Sequence, residues 1–142
     1  MIAYLDTSAT VKLFLDDEGN GAIVSELLTM LGTATTSRLT CVETLAALAA
    51  ARRAGRITSA IHAAAVADFI EIWAALEVVD LSDDVAWEAG AIAATFGLRA
   101  GDAIHLATAQ RLRDPSTSIV SWDIGLRRAA MAAGMACYPP EI

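Results

Sequence analysis

The chain has 142 residues, of which 56% are hydrophobic, and its formal net charge is −7. This length suits one domain, residues 1–142, built around a single core, and the negative charge argues against broad electrostatic attraction to nucleic acid. No apolar run reaches the roughly 18 residues of a membrane span, and no secretory signal is recognised, so we expect a cytoplasmic protein.

Short apolar runs alternate with helical periodicities along the chain. The predicted strands are residues 1–5, 33–36, 76–81, 119–122 and 135–138. The predicted helices begin near Ser8 and then cover residues 22–31, 40–54, 57–75, a segment from the caps at 82–84 to Gly97, 102–113 and 124–133. The acidic run 16–18 is interpreted as a solvated turn. Strands that alternate with helices predict an α/β fold with a parallel sheet covered on both faces.

Two aspartates directly follow predicted strands. Asp6 ends the first apolar run, Asp123 ends another, and a predicted helix follows each. Either residue alone is explained by a helix N-cap, a common role for aspartate. Because ligands of open α/β sheets bind outside the carboxyl ends of the strands, two such positions in one small domain favour a shared site.

Two further acids lie in the first turns of predicted helices. Glu43 follows Thr40 by three residues, which fits a capping box, and Asp102 would complement a helix dipole. For each residue alone the helix-stabilising role is favoured. Because helix N-termini point at the same strand-end crevice, each acid can stabilise its helix and also belong to a shared site. Four acids converging there would repel one another unless a divalent cation neutralised them. The pattern therefore favours a four-carboxylate metal site.

Other candidate residues carry weaker signals. His105 follows Asp102 by three residues and shares its helical face, but His62 is remote, so His105 is interpreted as a packing or hydrogen-bonding residue. A serine nucleophile at Ser8 or Ser121 would need a histidine partner that the sequence does not clearly supply. No glycine-rich nucleotide-binding loop is present, which argues against nucleotide-driven chemistry.

The basic residues comprise nine arginines and one lysine. Several arginines fall near the acidic motifs, which is compatible with a local basic rim on an acidic protein. A solvated helix face explains any single arginine equally simply, and that interpretation is favoured residue by residue.

Four segments that contain the acids occur in a fixed order. They are Tyr4-Leu5-Asp6-Thr7-Ser8, Val42-Glu43-Thr44-Leu45-Ala46, Leu98-Arg99-Ala100-Gly101-Asp102-Ala103-Ile104-His105 and Ser121-Trp122-Asp123. Together they resemble the motifs of PIN-domain ribonucleases, specifically VapC-type toxins of prokaryotic toxin–antitoxin pairs. No single motif is specific, whereas four in this order in a chain of this length are. Trp122 is bulky for its place in the fourth motif.

The resemblance implies a three-layer α/β/α PIN-like domain with a central parallel β-sheet, acting as a homodimer. It assigns Asp6, Glu43, Asp102 and Asp123 as catalytic residues and ligands of Mg²⁺ or Mn²⁺ in an endoribonuclease that leaves 3′-hydroxyl and 5′-phosphate ends. Side chains expected to orient the acids or the substrate are Thr7, Ser8, Ser121, Arg99 and Arg127. The implied partner is a VapB-type antitoxin that covers the acidic crevice, inserting a basic side chain that competes with the metal.

Two functions from other classes fit the same residues. A catalytically inactive PIN fold would act as a protein-binding module, which the presence of all four acids disfavours. Alternatively, Asp6 would form an aspartyl-phosphate, as in haloacid-dehalogenase-like phosphatases. Those enzymes usually carry a second acid two residues later, where this chain has Ser8.

Overall fold

The computed structural model describes residues 1–15 and 19–141. Its strands are β1 (Ile2–Leu5), β2 (Thr35–Ser37), β3 (Glu77–Val79), β4 (Thr117–Val120) and β5 (Ala136–Tyr138). Its helices are α1 (Thr7–Lys12), α2 (Gly21–Leu31), α3 (Arg38–Arg53), α4 (Ser59–Ala74), α5 (Asp83–Phe96), α6 (Ala100–Arg111) and α7 (Ile124–Ala132). No helix in this part of the chain is long and apolar enough to cross a membrane. The acidic run 16–18 lies outside the described residues.

The strands form one parallel sheet in the order β3-β2-β1-β4-β5. Side chains of successive strand residues point to opposite faces. Ala3 and Leu5 of the central strand accordingly pack with Val24 of α2, whereas Tyr4 packs with Leu106 of α6 on the other face. Both faces of the sheet are therefore covered by helices, and the predicted three-layer α/β/α fold is confirmed.

The outer parts of the sheet differ slightly from the predicted boundaries. β3 spans three residues instead of the predicted six, because it pairs with β2, which is itself three residues long. β4 begins at Thr117, two residues earlier than predicted, because Thr117 pairs with Ile2 of β1.

Helix α3 begins earlier than the sequence suggests. Its N-cap is Ser37, whose hydroxyl accepts a hydrogen bond from the Leu39 N–H at 3.2 Å. Thr40 is buried inside the helix, so the predicted capping box of Thr40 and Glu43 is wrong. Glu43 instead lies in the second turn of α3, where its carboxylate has no backbone amide to cap.

The parallel register determines which residues meet at the carboxyl edge of the sheet. Leu5 of β1 pairs with Val120 of β4 on one side and with Thr36 of β2 on the other. Asp6 directly follows Leu5 at the end of β1, and Ser121 directly follows Val120 at the end of β4. This edge therefore carries the acid that follows β1 directly beside the polar turn that follows β4.

Candidate active site

Asp6 lies at the carboxyl edge of the sheet, directly after β1, and is almost completely buried. The region bordered by Asp6, Glu43, Asp102 and Asp123 is called the crevice. Asp6 is the N-cap of α1, accepting a hydrogen bond from the Ala9 N–H at 2.9 Å. The Ser8 hydroxyl lies 2.8 and 2.9 Å from its two oxygens, and the Ser121 hydroxyl donates to it at 2.7 Å. One carboxylate thus caps a helix and anchors the crevice.

Burial makes the ionised form of the Asp6 carboxyl unfavourable. Its residue is only 3% exposed, and burial raises the pKa of its carboxyl, while the hydrogen bonds from Ser121, Ala9 and Ser8 partly offset that rise. A buried carboxylate with that many donors is fixed in position. A cation that entered the crevice would favour the ionised form of this carboxyl.

Ser121 connects Asp6 to the acid that follows β4. The Ser121 hydroxyl accepts a hydrogen bond from the Asp123 N–H at 3.0 Å while donating to Asp6. Asp123 caps α7 through the Leu126 N–H at 2.8 Å, and the Trp122 N–H donates to Ser8 at 2.8 Å. The two aspartates are therefore tied together through one serine across the β1–β4 pair.

Arg127 stabilises the turn that follows β4. Its guanidinium is buried and donates to the carbonyl oxygens of Ser121 at 3.0 Å and Pro139 at 2.7 Å. It consequently joins the loop after β4 to the C-terminal segment, and it influences the crevice through the position of Ser121.

Glu43 reaches the crevice from α3 and is held by two side chains. Its carboxylate accepts a hydrogen bond from the Thr7 hydroxyl and lies 3.0 Å from Nε2 of His105. Burial alone would raise the pKa of Glu43, but the hydrogen bonds from His105 and Thr7 outweigh it and lower that pKa. Glu43 is therefore ionised and oriented.

His105 has a larger part in the site than its sequence position indicated. The imidazole is buried on α6, and its Nδ1 lies 2.9 Å from the Tyr4 hydroxyl. Burial raises the pKa of Tyr4, so this hydroxyl stays protonated and can donate to Nδ1. A ring that accepts at Nδ1 carries its proton on Nε2 and donates it to Glu43. The one sequence signal for this role was the helical face that His105 shares with Asp102.

Gly101 allows Glu43 to approach α6 closely. A Cβ added at Gly101 would lie 2.8 Å from Oε1 of Glu43, a distance that real Cβ contacts essentially never show. No pattern in the sequence pointed to this contact, because Gly101 and Glu43 belong to different helices.

Asp102 and Asp123 face each other across Arg99. The Arg99 guanidinium lies 3.4 Å from Oδ2 of Asp102 and 3.6 Å from Oδ2 of Asp123. Burial and the negative charge of Asp123 raise the pKa of Asp102. Like charges thus accumulate at this side of the crevice.

The donor set of the crevice is chemically suited to a hard divalent cation. Carboxylate oxygens are what Mg²⁺ and Mn²⁺ prefer, and Mg²⁺ usually keeps several water ligands. Among the described residues, no three acidic, histidine or cysteine side chains stand close enough together to form a ready-made metal cage. Binding through water and one or two carboxylates fits this arrangement, and the assignment of four ligands remains a prediction.

Comparison with known proteins gives the family of the chain. Residues 3–131 match the PIN domain family. The chain belongs to the PIN-domain family. Two curated relatives, ribonucleases VapC45 and VapC49 of Mycobacterium tuberculosis, are each 38% identical over 99% of this chain and 97% of their own length. The resemblance to VapC-type members is thereby confirmed.

Solved structures agree on the PIN fold. PAE2754 from Pyrobaculum aerophilum superposes with a TM-score of 0.73 at 20% identity, covering 96% of this chain and 90% of that chain. A chain of VapBC2 from Rickettsia felis, solved bound to a promoter DNA fragment, gives 0.66 at 15% identity, with 96% and 97% covered.

Replacing Asp6 of this PIN domain by asparagine should stabilise the metal-free protein at neutral pH. Asparagine is an equally good N-cap, and it removes an ionisable group whose charged form is disfavoured by burial. Because burial raises the pKa of Asp6, the unfolded chain releases this proton at a lower pH than the folded one, so wild-type stability falls as pH rises across that interval. The advantage of Asp6→Asn should be smallest below about pH 4 and grow above it in urea unfolding.

The matched control for this measurement is Asp68→Asn in α4, which removes the same formal charge from an exposed position. An equal, pH-dependent gain in that variant would trace the effect to net charge and contradict the burial of Asp6.

Replacing Gly101 by alanine should disturb Glu43 rather than help the helix. Gly90 in α5 has no atom within 4 Å of an added Cβ, so Gly90→Ala should raise the free energy of unfolding by about 0.5–1 kcal/mol through helix propensity. Gly101→Ala should give no gain or a loss in the same urea titration, because the methyl group meets the Glu43 carboxylate. Equal gains in both variants would show that Glu43 does not pack against α6.

Proposed function

We propose that this PIN domain is a cytoplasmic Mg²⁺- or Mn²⁺-dependent endoribonuclease and the toxin of a VapB/VapC-type pair. The observation that supports the proposal is a chain of contacts between the four acids: Ser121 joins Asp6 to Asp123, Arg99 joins Asp123 to Asp102, and Glu43 lies against Gly101, next to Asp102. Two of the acids are held by dedicated hydrogen-bond donors and two share one arginine. Relatives 38% identical over nearly the whole chain carry the name ribonuclease VapC, which supports RNA as the substrate.

In this proposal the four carboxylates would hold the metal, directly or through water. The bound ion would lower the pKa of a water molecule and neutralise charge that develops on the phosphate. The protein's own part is positioning. Ser8 and Ser121 fix Asp6, and His105 and Thr7 fix Glu43, so the oxygens need little reorganisation when ligands enter.

The negative net charge is compatible with an RNA substrate under this proposal. A concentration of carboxylates is repulsive to a phosphate only until cations occupy it, and each divalent ion offsets two of the charges. RNA binding is then expected to depend on metal more steeply than in a basic RNA-binding protein.

A basic antitoxin is the partner we propose. The chain carries a formal charge of −7, and a solved neighbour of the same fold is a VapBC complex. Complementary charge would steer a basic partner segment toward the acidic crevice. Exposed apolar side chains also support association, including a homodimer: Trp87 is 82% exposed, Met30 70% and Ile70 61%.

Purified, antitoxin-free protein should cut total cellular RNA at discrete positions in the presence of Mg²⁺ or Mn²⁺ and not in the presence of a chelator. Asp6→Asn, Glu43→Gln and Asp102→Asn should each lower the rate by about a hundredfold or more, equivalent to about 2.7 kcal/mol, because each removes one negative oxygen from the metal-binding crevice. Rates are read from the appearance of the fragments on a gel.

Asp68→Asn serves as the matched variant here as well, because it removes an exposed carboxylate outside the crevice and should keep the wild-type rate. Undiminished metal-dependent cleavage by any of the three crevice variants would refute that residue's role. Neither cleavage nor Mn²⁺ binding by wild-type protein would instead favour a protein-binding module.

Co-expression with the product of the neighbouring gene should give a complex that no longer cuts RNA. Because the attraction is electrostatic, association should slow as salt rises from about 0.05 to 0.5 M. Surface plasmon resonance measures this dependence. A neighbouring-gene product that shows no binding at low salt would count against an antitoxin partner.

A further inference from the structure

Arg99 occupies a helix position that is unfavourable for arginine. It is the N-cap of α6, but its side chain makes no capping hydrogen bond. Serine, threonine, aspartate and asparagine are preferred there, and a positive charge opposes the positive end of the helix dipole. The other well-defined N-caps in the crevice, Asp6 and Asp123, follow the rule. Departures of this kind concentrate at functional sites.

The contacts of Arg99 are loose and are directed at two acids of the crevice. Its guanidinium stands 3.4 Å from Asp102 and 3.6 Å from Asp123, and its side chain is 83% exposed. By contrast, Arg38 lies 2.7 Å from Asp80 and Arg111 lies 2.6 Å from Glu88. Ion pairs as long and as exposed as those of Arg99 are weak, so the guanidinium is readily exchanged for another ligand of the acids.

The two acids are only partly exposed, at 18% for the side chain of Asp102 and 29% for that of Asp123. Together they carry two negative charges that face the same guanidinium. Arg99 is the one basic side chain that forms ion pairs with them among the described residues. Arg99 would therefore compete with a divalent cation for these two acids.

We propose that Arg99 is a displaceable counter-ion of the crevice. This inference rests on the proposed metal-dependent nuclease. Without metal, its guanidinium bridges Asp102 and Asp123 and reduces their repulsion. Arg99 would be released from Asp102 and Asp123 if these acids held a divalent cation, and its guanidinium would then bind a phosphate of the RNA, for which the planar fork of donors is well suited.

This role predicts opposite effects on two measured quantities. Arg99→Gln should bind Mn²⁺ about threefold to tenfold more tightly, because it removes the competing charge and two weak ion pairs. The same variant should cleave RNA about tenfold more slowly or worse at saturating Mn²⁺, because a phosphate contact is lost. A merely structural arginine would not tighten metal binding when removed.

Mn²⁺ affinity is measured by isothermal titration calorimetry without RNA, and cleavage is measured separately at saturating Mn²⁺. Arg99→Lys keeps the charge but cannot bridge two carboxylates with a planar fork, so both quantities should lie between wild type and Arg99→Gln. Arg113→Gln is the matched control: this exposed arginine lies just past the opposite end of α6, and neither quantity should change. Circular dichroism and thermal unfolding establish that each variant is folded.

The outcomes separate the two proposals. Unchanged or weaker Mn²⁺ binding by a folded Arg99→Gln, with wild-type protein binding Mn²⁺ and cutting RNA, overturns the role of Arg99 and leaves the nuclease intact. Tighter Mn²⁺ binding with unchanged cleavage overturns the phosphate contact. Wild-type protein that neither binds Mn²⁺ nor cuts RNA overturns both the nuclease and the inference built on it.

Discussion

The parallel pairing of β1 with β4 is the constraint on which the rest of the crevice depends. It aligns Leu5 with Val120, so that Asp6 and Ser121 emerge side by side and form a hydrogen bond. From that bond the position of Asp123 follows through its backbone N–H. A slip of one residue in this register would turn every side chain of β1 to the opposite face and would separate Asp6 from Ser121.

Stability and site geometry make opposing demands at Asp6. The carboxylate is desolvated, which disfavours its charge, yet the hydroxyls of Ser8 and Ser121 and an amide of α1 keep it in one place. Helix capping lessens this conflict. A capping aspartate stabilises its helix by satisfying a free N–H, so Asp6 and Asp123 contribute to folding and to the crevice at once.

Glu43 and Asp102 reach the crevice by a different route, from helices that pack above the edge of the sheet. Their positions depend on tertiary contacts. Tyr4 hydrogen-bonds to His105, which in turn hydrogen-bonds to Glu43, and Gly101 leaves room for the Glu43 carboxylate. Arg99 completes this side as the only cation paired with Asp102 and Asp123 in the described chain. Glu43 is therefore held by residues of β1 and α6, two segments that are distant from it in the chain.

The sequence by itself determined the alternation of strands and helices, the parallel sheet and the placement of Asp6 and Asp123 after strands. These features follow from local periodicity and from residues that cap or end helices, which neighbouring positions in the chain encode. Local pattern misled at Thr40 and Glu43, where a plausible capping box gave way to Ser37 as the cap. Only the tertiary structure decided that His105 orients Glu43, that Gly101 lies against it and that Arg99 spans two acids. Those contacts join residues as much as 62 positions apart, such as His105 and Glu43, and they arise from helix packing, which no local pattern records.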